Sequence, residues 1–238
     1  MTTQQILPEW TGSFRPVVPF DPSKDRLFPF DFTAANGDLS PEKIADTDAF
    51  ARYISSTLLV SHCRYGFGGY GEHRTIYARS THFDGKEDGF EEPRRLHLGI
   101  DIWGPAGTMV MAPLDGIVHS FAFNNHDGDY GATLILTHAV GAGTFHTLYG
   151  HLSLNSLKNL VGGTGVRAGE VIGEFGMRFE NGGWPPHLHF QLIRDMQGLE
   201  GDYPGVCRFS ERARWMENCP DPDLILQMGR YIKGQGNA

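Results

Sequence analysis

Pro186-His187-Leu188-His189-Phe190-Gln191-Leu192 alternates polar and apolar residues without a break. Successive side chains of a β-strand point to opposite faces. The alternation therefore predicts a strand with Leu188, Phe190 and Leu192 turned into a core. His187, His189 and Gln191 then share the other face. Two imidazoles about 6–7 Å apart at their Cα atoms can both address one site there. An isolated His-x-His pair is weak evidence for a metal, so the weight falls on its surroundings.

Two further clusters lie upstream, Leu96-His97-Leu98-Gly99-Ile100-Asp101-Ile102-Trp103 and Thr147-Leu148-Tyr149-Gly150-His151-Leu152. In the first, Leu98, Ile100 and Ile102 form one apolar face and leave His97, Gly99 and Asp101 on the other. Four residues of straight strand span about 13 Å. That is too far for two ligands that must each come within about 2.0–2.2 Å of one zinc. Gly99 lies between them, and an isolated strand glycine often marks a bend or bulge. The backbone is predicted to bend at or just before Gly99, or His97 to precede the strand.

The resulting donor set, His97, Asp101 and His189, offers two imidazoles and one carboxylate. Three protein ligands leave a fourth position open, which is the catalytic rather than the structural arrangement of zinc. Zinc so held lowers the pKa of a water and polarises a carbonyl oxygen. His151 and His187 remain to move protons and to stabilise negative charge. Cysteine is absent from all three clusters, which argues against a zinc finger. His62, His73, His82, His119, His126, His138 and His146 need no role.

Around these clusters, residues 94–195 consist of short apolar runs punctuated by glycine, such as Gly116-Ile117-Val118 and Ala132-Thr133-Leu134-Ile135-Leu136. They predict a mainly β catalytic domain, an antiparallel sandwich or barrel-like core. Residues 1–93 read as an N-terminal extension packed on that core. Its arm, 1–40, is anchored by Phe14, Phe20, Phe28, Phe30 and Phe32. A helix over about 41–60 follows, with Ser40 as N-cap and Pro41 at its first position. Gly-rich loops and short strands occupy 65–83. Residues 196–238 form a loop and a last helix from near Pro222 through Tyr231.

A net charge of -8 and the lack of a basic tract argue against nucleic-acid binding. No run approaches 18 apolar residues, so no membrane insertion is expected. Met1–Pro8 lacks the basic and apolar regions of an export signal, which sets a cytoplasmic location as the expectation. Cys63, Cys207 and Cys219 are read as reduced thiols, with a Cys207–Cys219 pair left open.

The segments His97-Leu98-Gly99-Ile100-Asp101, Tyr149-Gly150-His151-Leu152 and His187-Leu188-His189-Phe190 resemble, in order, the three motifs of the LytM/lysostaphin-type zinc metallopeptidases. Ala112–Val118 and Val166–Gly173 look like the same family's core hairpins. The resemblance covers about residues 95–194. It implies one zinc per chain on His97, Asp101 and His189, with His151 and His187 as the two assisting, non-ligand histidines. It implies a lysostaphin-like antiparallel β fold with the site in a groove, and cleavage of peptide bonds in peptidoglycan or its fragments. All five motif positions are retained, which disfavours the degenerate relatives that only bind. The flanks Gly68–Arg74 and Cys219–Leu224 look similar to segments around peptidase-like modules of larger cytoplasmic multidomain enzymes.

Two other functions stay open at this level: a cytoplasmic zinc amidohydrolase acting on a small amide, and a non-catalytic peptidase-like binding module. A groove capped by the N-terminal arm favours the small amide. The arm can also act as a plug, with Asn36, His73 or His82 at the open zinc position. A biotinyl or lipoyl carrier is disfavoured, because the Met111–Gly116 hairpin carries no lysine.

Overall fold

The computed structural model describes residues 12–84, 92–141 and 143–233. The first part of the arm, 1–11, lies outside the described residues. The fold is mainly β. Its principal sheet takes strands from three parts of the chain. β1 (Leu27–Pro29) and β2 (Tyr65–Gly68) come from the N-terminal extension. β4 (Ile100–Trp103), β6 (Gly116–Asn124), β7 (Gly131–Val140), β8 (Gly143–Leu152), β9 (Gly165–Val166) and β11 (His187–Ile193) come from the central segment. They are ordered β1-β2-β4-β11-β8-β7-β6-β9. β1 pairs parallel to β2, and every other pair in this sheet is antiparallel. Two small ladders accompany it: β3 (Leu96–His97) pairs with β12 (Val206–Cys207), and β5 (Met109–Met111) with β10 (Val171–Glu174).

The predicted alternation in β11 is present. Leu188, Phe190 and Leu192 join Ile100, Ile102, Leu134, Leu136 and Tyr149 in the principal core. Each such fully buried side chain contributes about 1.5–3 kcal/mol of transfer free energy. That face fixes the register, because a one-residue slip would put the histidines into the core.

The bend before Gly99 is also present, and its cause is topological. β3 belongs to one sheet and β4 to another. The chain changes sheets at Leu98-Gly99, which folds His97 back over Asp101.

The extension completes the structure rather than trailing from it. Phe32 meets Trp103 at 5.2 Å between ring centroids and Phe50 at 5.7 Å. Phe14 and Phe20 pack on the principal core. The helix predicted over 41–60 is two helices, α1 (Pro41–Ala45) and α2 (Thr47–Ser61). Ser40 caps the first, as expected. Asp46 breaks the run, because its extended backbone lets its carboxylate cap the amides of Asp48 and Ala49. The C-terminal helix is likewise shorter than expected. It comprises α4 (Asp223–Leu226) and a 3-10 turn, Gly229–Tyr231. They are separated by Gln227 in left-handed conformation, and the Asp223 carboxylate accepts from the Met228 and Gly229 amides. Another helix, α3 (Arg212–Asn218), precedes it and has no clear signal in the sequence. The three cysteines are free. Among the described residues no helix is long and apolar enough to cross a membrane.

Candidate metal centre

β11 is central, between β4 and β8, and its register sets half of the site. His189 lies opposite Asp101 on one side and Gly150 on the other. His97 arrives from β3 across the sheet change. His97 Nε2 lies 2.9 Å from His189 Nδ1 and 3.3 Å from Asp101 Oδ1, and His189 Nδ1 lies 3.2 Å from the same oxygen. Among the described residues these three form the only His/Cys/Asp/Glu group whose ligand atoms converge in this way. All three are almost fully buried.

The hydrogen bonds decide which ring nitrogens carry protons. His97 Nδ1 lies 3.0 Å from the Gly69 carbonyl, which only accepts, so Nδ1 is protonated and Nε2 is a lone pair. His189 Nε2 lies 2.8 Å from Gln191 Oε1. The amide orientation is set because Gln191 Nε2 donates to the Pro204 carbonyl at 3.1 Å. His189 Nε2 therefore carries the proton and Nδ1 is a lone pair. Asp101 Oδ1 is buried and accepts no hydrogen bond.

Three lone-pair donors thus face one another with no proton between them. Buried, this is strongly unfavourable unless a cation occupies the centre. Separations of 2.9–3.3 Å suit the edge of a tetrahedron, about 3.3 Å for metal bonds of about 2.0–2.1 Å. The residues present fit a zinc ion.

The charges agree. Burial, reinforced by the Arg74 guanidinium, holds His97 down to about 3, in the neutral form that binds metals. Burial alone would raise the Asp101 carboxyl. His97 and Arg74 overrule it and keep the group ionised.

His187 and His151 stand beside the cluster, with ring centroids 4.1 Å apart. His187 stacks on Trp103 at 3.8 Å and donates from Nδ1 to the Pro185 carbonyl. His151 donates from Nδ1 to the Asn181 carbonyl. Each is left with a free Nε2. His187 Nε2 lies 3.9 Å from Asp101 Oδ1. Burial lowers His187 to about 4; burial and the neighbouring imidazoles push His151 down as well.

His151 reaches this place by an unusual route. Tyr149 faces the core, and strand parity would send His151 the same way. Its φ of 63° and the register shift between Ala132 and Leu134 turn it to the opposite face. A non-glycine residue in that region costs about 1–3 kcal/mol, and such residues cluster at functional sites.

The five residues singled out in the sequence therefore come together. Sequence reading missed the groups around them. Arg74 donates to Asp101 Oδ2 at 2.5 Å. Tyr130 places its hydroxyl 3.4 Å from His189 Nε2 and stays protonated because burial raises its pKa. Among the described residues, neither Asn36 nor His73 is hydrogen-bonded to the cluster. His73 packs against Phe209, and Asn36 bonds the Asp31 carbonyl and Tyr53. His82 lines the cleft wall. From 65–83, the side chain hydrogen-bonded to His97, Asp101 or His189 is that of Arg74.

The cleft in front of the cluster has a volume of about 120 Å³. Tyr77 and Phe83 of the extension wall one part, and Tyr203 to Val206 another.

Residues 95–200 match the model of peptidase family M23. This segment is similar to peptidase family M23. The matched span contains all five histidine and aspartate positions. The chain is 37% identical over 125 residues to the DD-carboxypeptidase/endopeptidase Mpg of Neisseria meningitidis, covering 52% of this chain and 26% of that protein. It is 32% identical over 110 residues to the peptidoglycan DD-endopeptidase ShyC of Vibrio cholerae, covering 42% and 23% respectively. The chain thus spans about a quarter of the length of these relatives. It is also similar to the catalytic domain of lysostaphin from Staphylococcus simulans, at 22% identity, with a TM-score of 0.41 over 71% of this chain and 98% of that one. Arg74 and Glu72 lie outside the matched M23 segment.

Proposed function

We propose that this chain is a zinc metallopeptidase that hydrolyses peptide bonds, with His97, Asp101 and His189 holding the metal. The observation that carries this reading is the meeting of three unprotonated donors at a buried centre. Zinc, when bound, supplies Lewis acidity towards a carbonyl oxygen and towards water. The chain's own residues do the rest. His151 and His187 enter the cleft neutral, each with Nε2 free, so either can accept a proton during attack and return it to the leaving amine. Their Nδ1–H bonds to the Asn181 and Pro185 carbonyls keep that nitrogen turned inward. The Tyr130 hydroxyl, beside His189, is a donor for charge developing on the carbonyl oxygen.

The relatives' names direct the substrate towards peptidoglycan peptides. The walls of the cleft favour short, soluble peptides over an intact polymer, because the five site residues are no more than 5% exposed. The test is a hydrolysis screen over intact peptidoglycan, soluble peptidoglycan fragments, oligoglycine and small amides. Soluble peptides should turn over fastest, and His151→Ala should lose turnover while retaining zinc. Unchanged turnover in His151→Ala, or no hydrolysis of any substrate by the zinc-loaded protein, would contradict the reading.

A further inference from the structure

We propose that Arg74 is a positioning residue for Asp101: it confines the carboxylate to one-oxygen ligation and weakens its hold on the metal. This rests on the metal reading above. Arg74 is 1% exposed, so solvent does not screen its charge, and its Nη2 is buried without a hydrogen-bond partner. Nη1 donates to Asp101 Oδ2 at 2.5 Å and to the Tyr77 hydroxyl at 3.3 Å. Nε donates to Glu72 Oε2 at 2.7 Å. Glu72 Oε1 in turn accepts from the Phe32 amide at 3.1 Å, and the guanidinium lies over the Phe32 ring.

The loop is built around this arrangement. A Cβ at Gly69 would fall 1.8 Å from Arg74 Nη2, and Gly69 has a φ of +100°. Only glycine permits both. The Gly69 carbonyl is the group that orients His97. One loop of the extension thus aims two of the three donors, whereas His189 is aimed by Gln191 on its own strand.

Two consequences follow from the placement. With Oδ2 occupied, only Oδ1 is available to a cation, so Asp101 binds through one atom. A guanidinium sharing the carboxylate also competes with the metal for its charge and repels the metal directly. The metal is held less tightly and keeps more of its Lewis acidity. A salt bridge that merely stabilised the fold would give the opposite sign, since losing it would loosen the site.

The test compares wild type, Arg74→Met, Arg74→Lys and Glu72→Gln by zinc affinity against a competing chelator, by the visible spectrum of the cobalt(II)-substituted protein, and by kcat and KM. Arg74→Met should bind zinc at least about tenfold more tightly. Its cobalt band should weaken as the carboxylate adds its second oxygen, and kcat should fall with KM little changed. Arg74→Lys, which keeps the charge, should return zinc affinity to within about threefold of wild type. Glu72→Gln removes a nearby negative charge and should weaken zinc binding at least about threefold; it serves if Arg74→Met does not fold. Arg74→Met with unchanged or weaker zinc binding and an unchanged cobalt spectrum would overturn the proposal, as would unchanged binding in Glu72→Gln. Wild-type protein that takes up neither zinc nor cobalt would instead overturn the metal reading beneath it.

Discussion

The two halves of the metal centre are held in different ways. His187 and His189 stand on β11, a central strand whose ladders on both sides and whose Leu188, Phe190 and Leu192 face leave no freedom of register. His97 stands on a two-residue strand across a sheet change. Its direction depends on Gly69, and that of Asp101 on Arg74. One half is rigid through the sheet, and the other is aimed by a loop from outside the M23 segment. The β11 half therefore secures the chemistry, and the half whose side chains are oriented by the Gly69–Arg74 loop is where strength and selectivity can be tuned.

The largest effect should come from the rigid half. His189→Ala removes a donor that no neighbour replaces. Zinc content and hydrolysis should both fall to background while the melting temperature of the zinc-free protein changes little. Substantial zinc retained in that variant would mean that the two halves do not meet on one ion.

Next in size is His151, which belongs to the rigid sheet yet sits in a strained backbone. His151→Ala should lose about 10²–10⁴ in turnover with zinc retained. His151→Gly should lose as much activity but be more stable than the alanine variant by about 1 kcal/mol, because glycine accepts a φ of 63°. Equal thermal stability of the two variants would remove strain from the account.

At the junction of the halves, Gly99→Ala would put a methyl group 2.5 Å from His189 Cε1. A cost of about 1–3 kcal/mol in stability is expected, together with weaker zinc binding. Wild-type affinity and melting temperature in this variant would show that the crossing has slack.

A further effect concerns pH and is read in the zinc-free protein alone. His97 is held down to about 3 and His187 to about 4, against about 6.5 in an unfolded chain. Below about pH 6.5 the unfolded chain therefore binds protons that the folded one refuses. The zinc-free protein should lose stability as pH falls from about 6.5 towards 4, at about 1.4 kcal/mol per pH unit for each histidine. His187→Phe, which keeps an aromatic ring against Trp103, should remove one such contribution. An unaltered slope in denaturant titrations would contradict the burial argument for that histidine.

The contrast between the halves also explains what the sequence made legible. Alternation in 186–192 specifies a strand, its core face and its histidine face by local periodicity, so both histidines could be placed without a structure. Gly99 between His97 and Asp101 announced a bend, although the sheet change that produces it depends on β12, more than 100 residues away. His151 was legible as a residue but not in its direction, since strand parity points it into the core. Arg74 and Glu72 stood inside the Gly68–Arg74 flank, but nothing local in the sequence tied them to the metal ligands. They act through contacts with Asp101 and Phe32 that are non-local in the chain. The breaks at Asp46 and Gln227 were missed because a carboxylate capping nearby amides overrides helical periodicity.

The central claim is that His97 Nε2, Asp101 Oδ1 and His189 Nδ1 share one zinc ion. A crystal of the zinc-loaded protein, measured on both sides of the zinc absorption edge, tests it most directly. A single anomalous peak is expected about 2.0–2.2 Å from each of those three atoms, with Arg74 still on Asp101 Oδ2. An empty centre in zinc-loaded crystals, or a peak bound by His187 in place of Asp101, would contradict it.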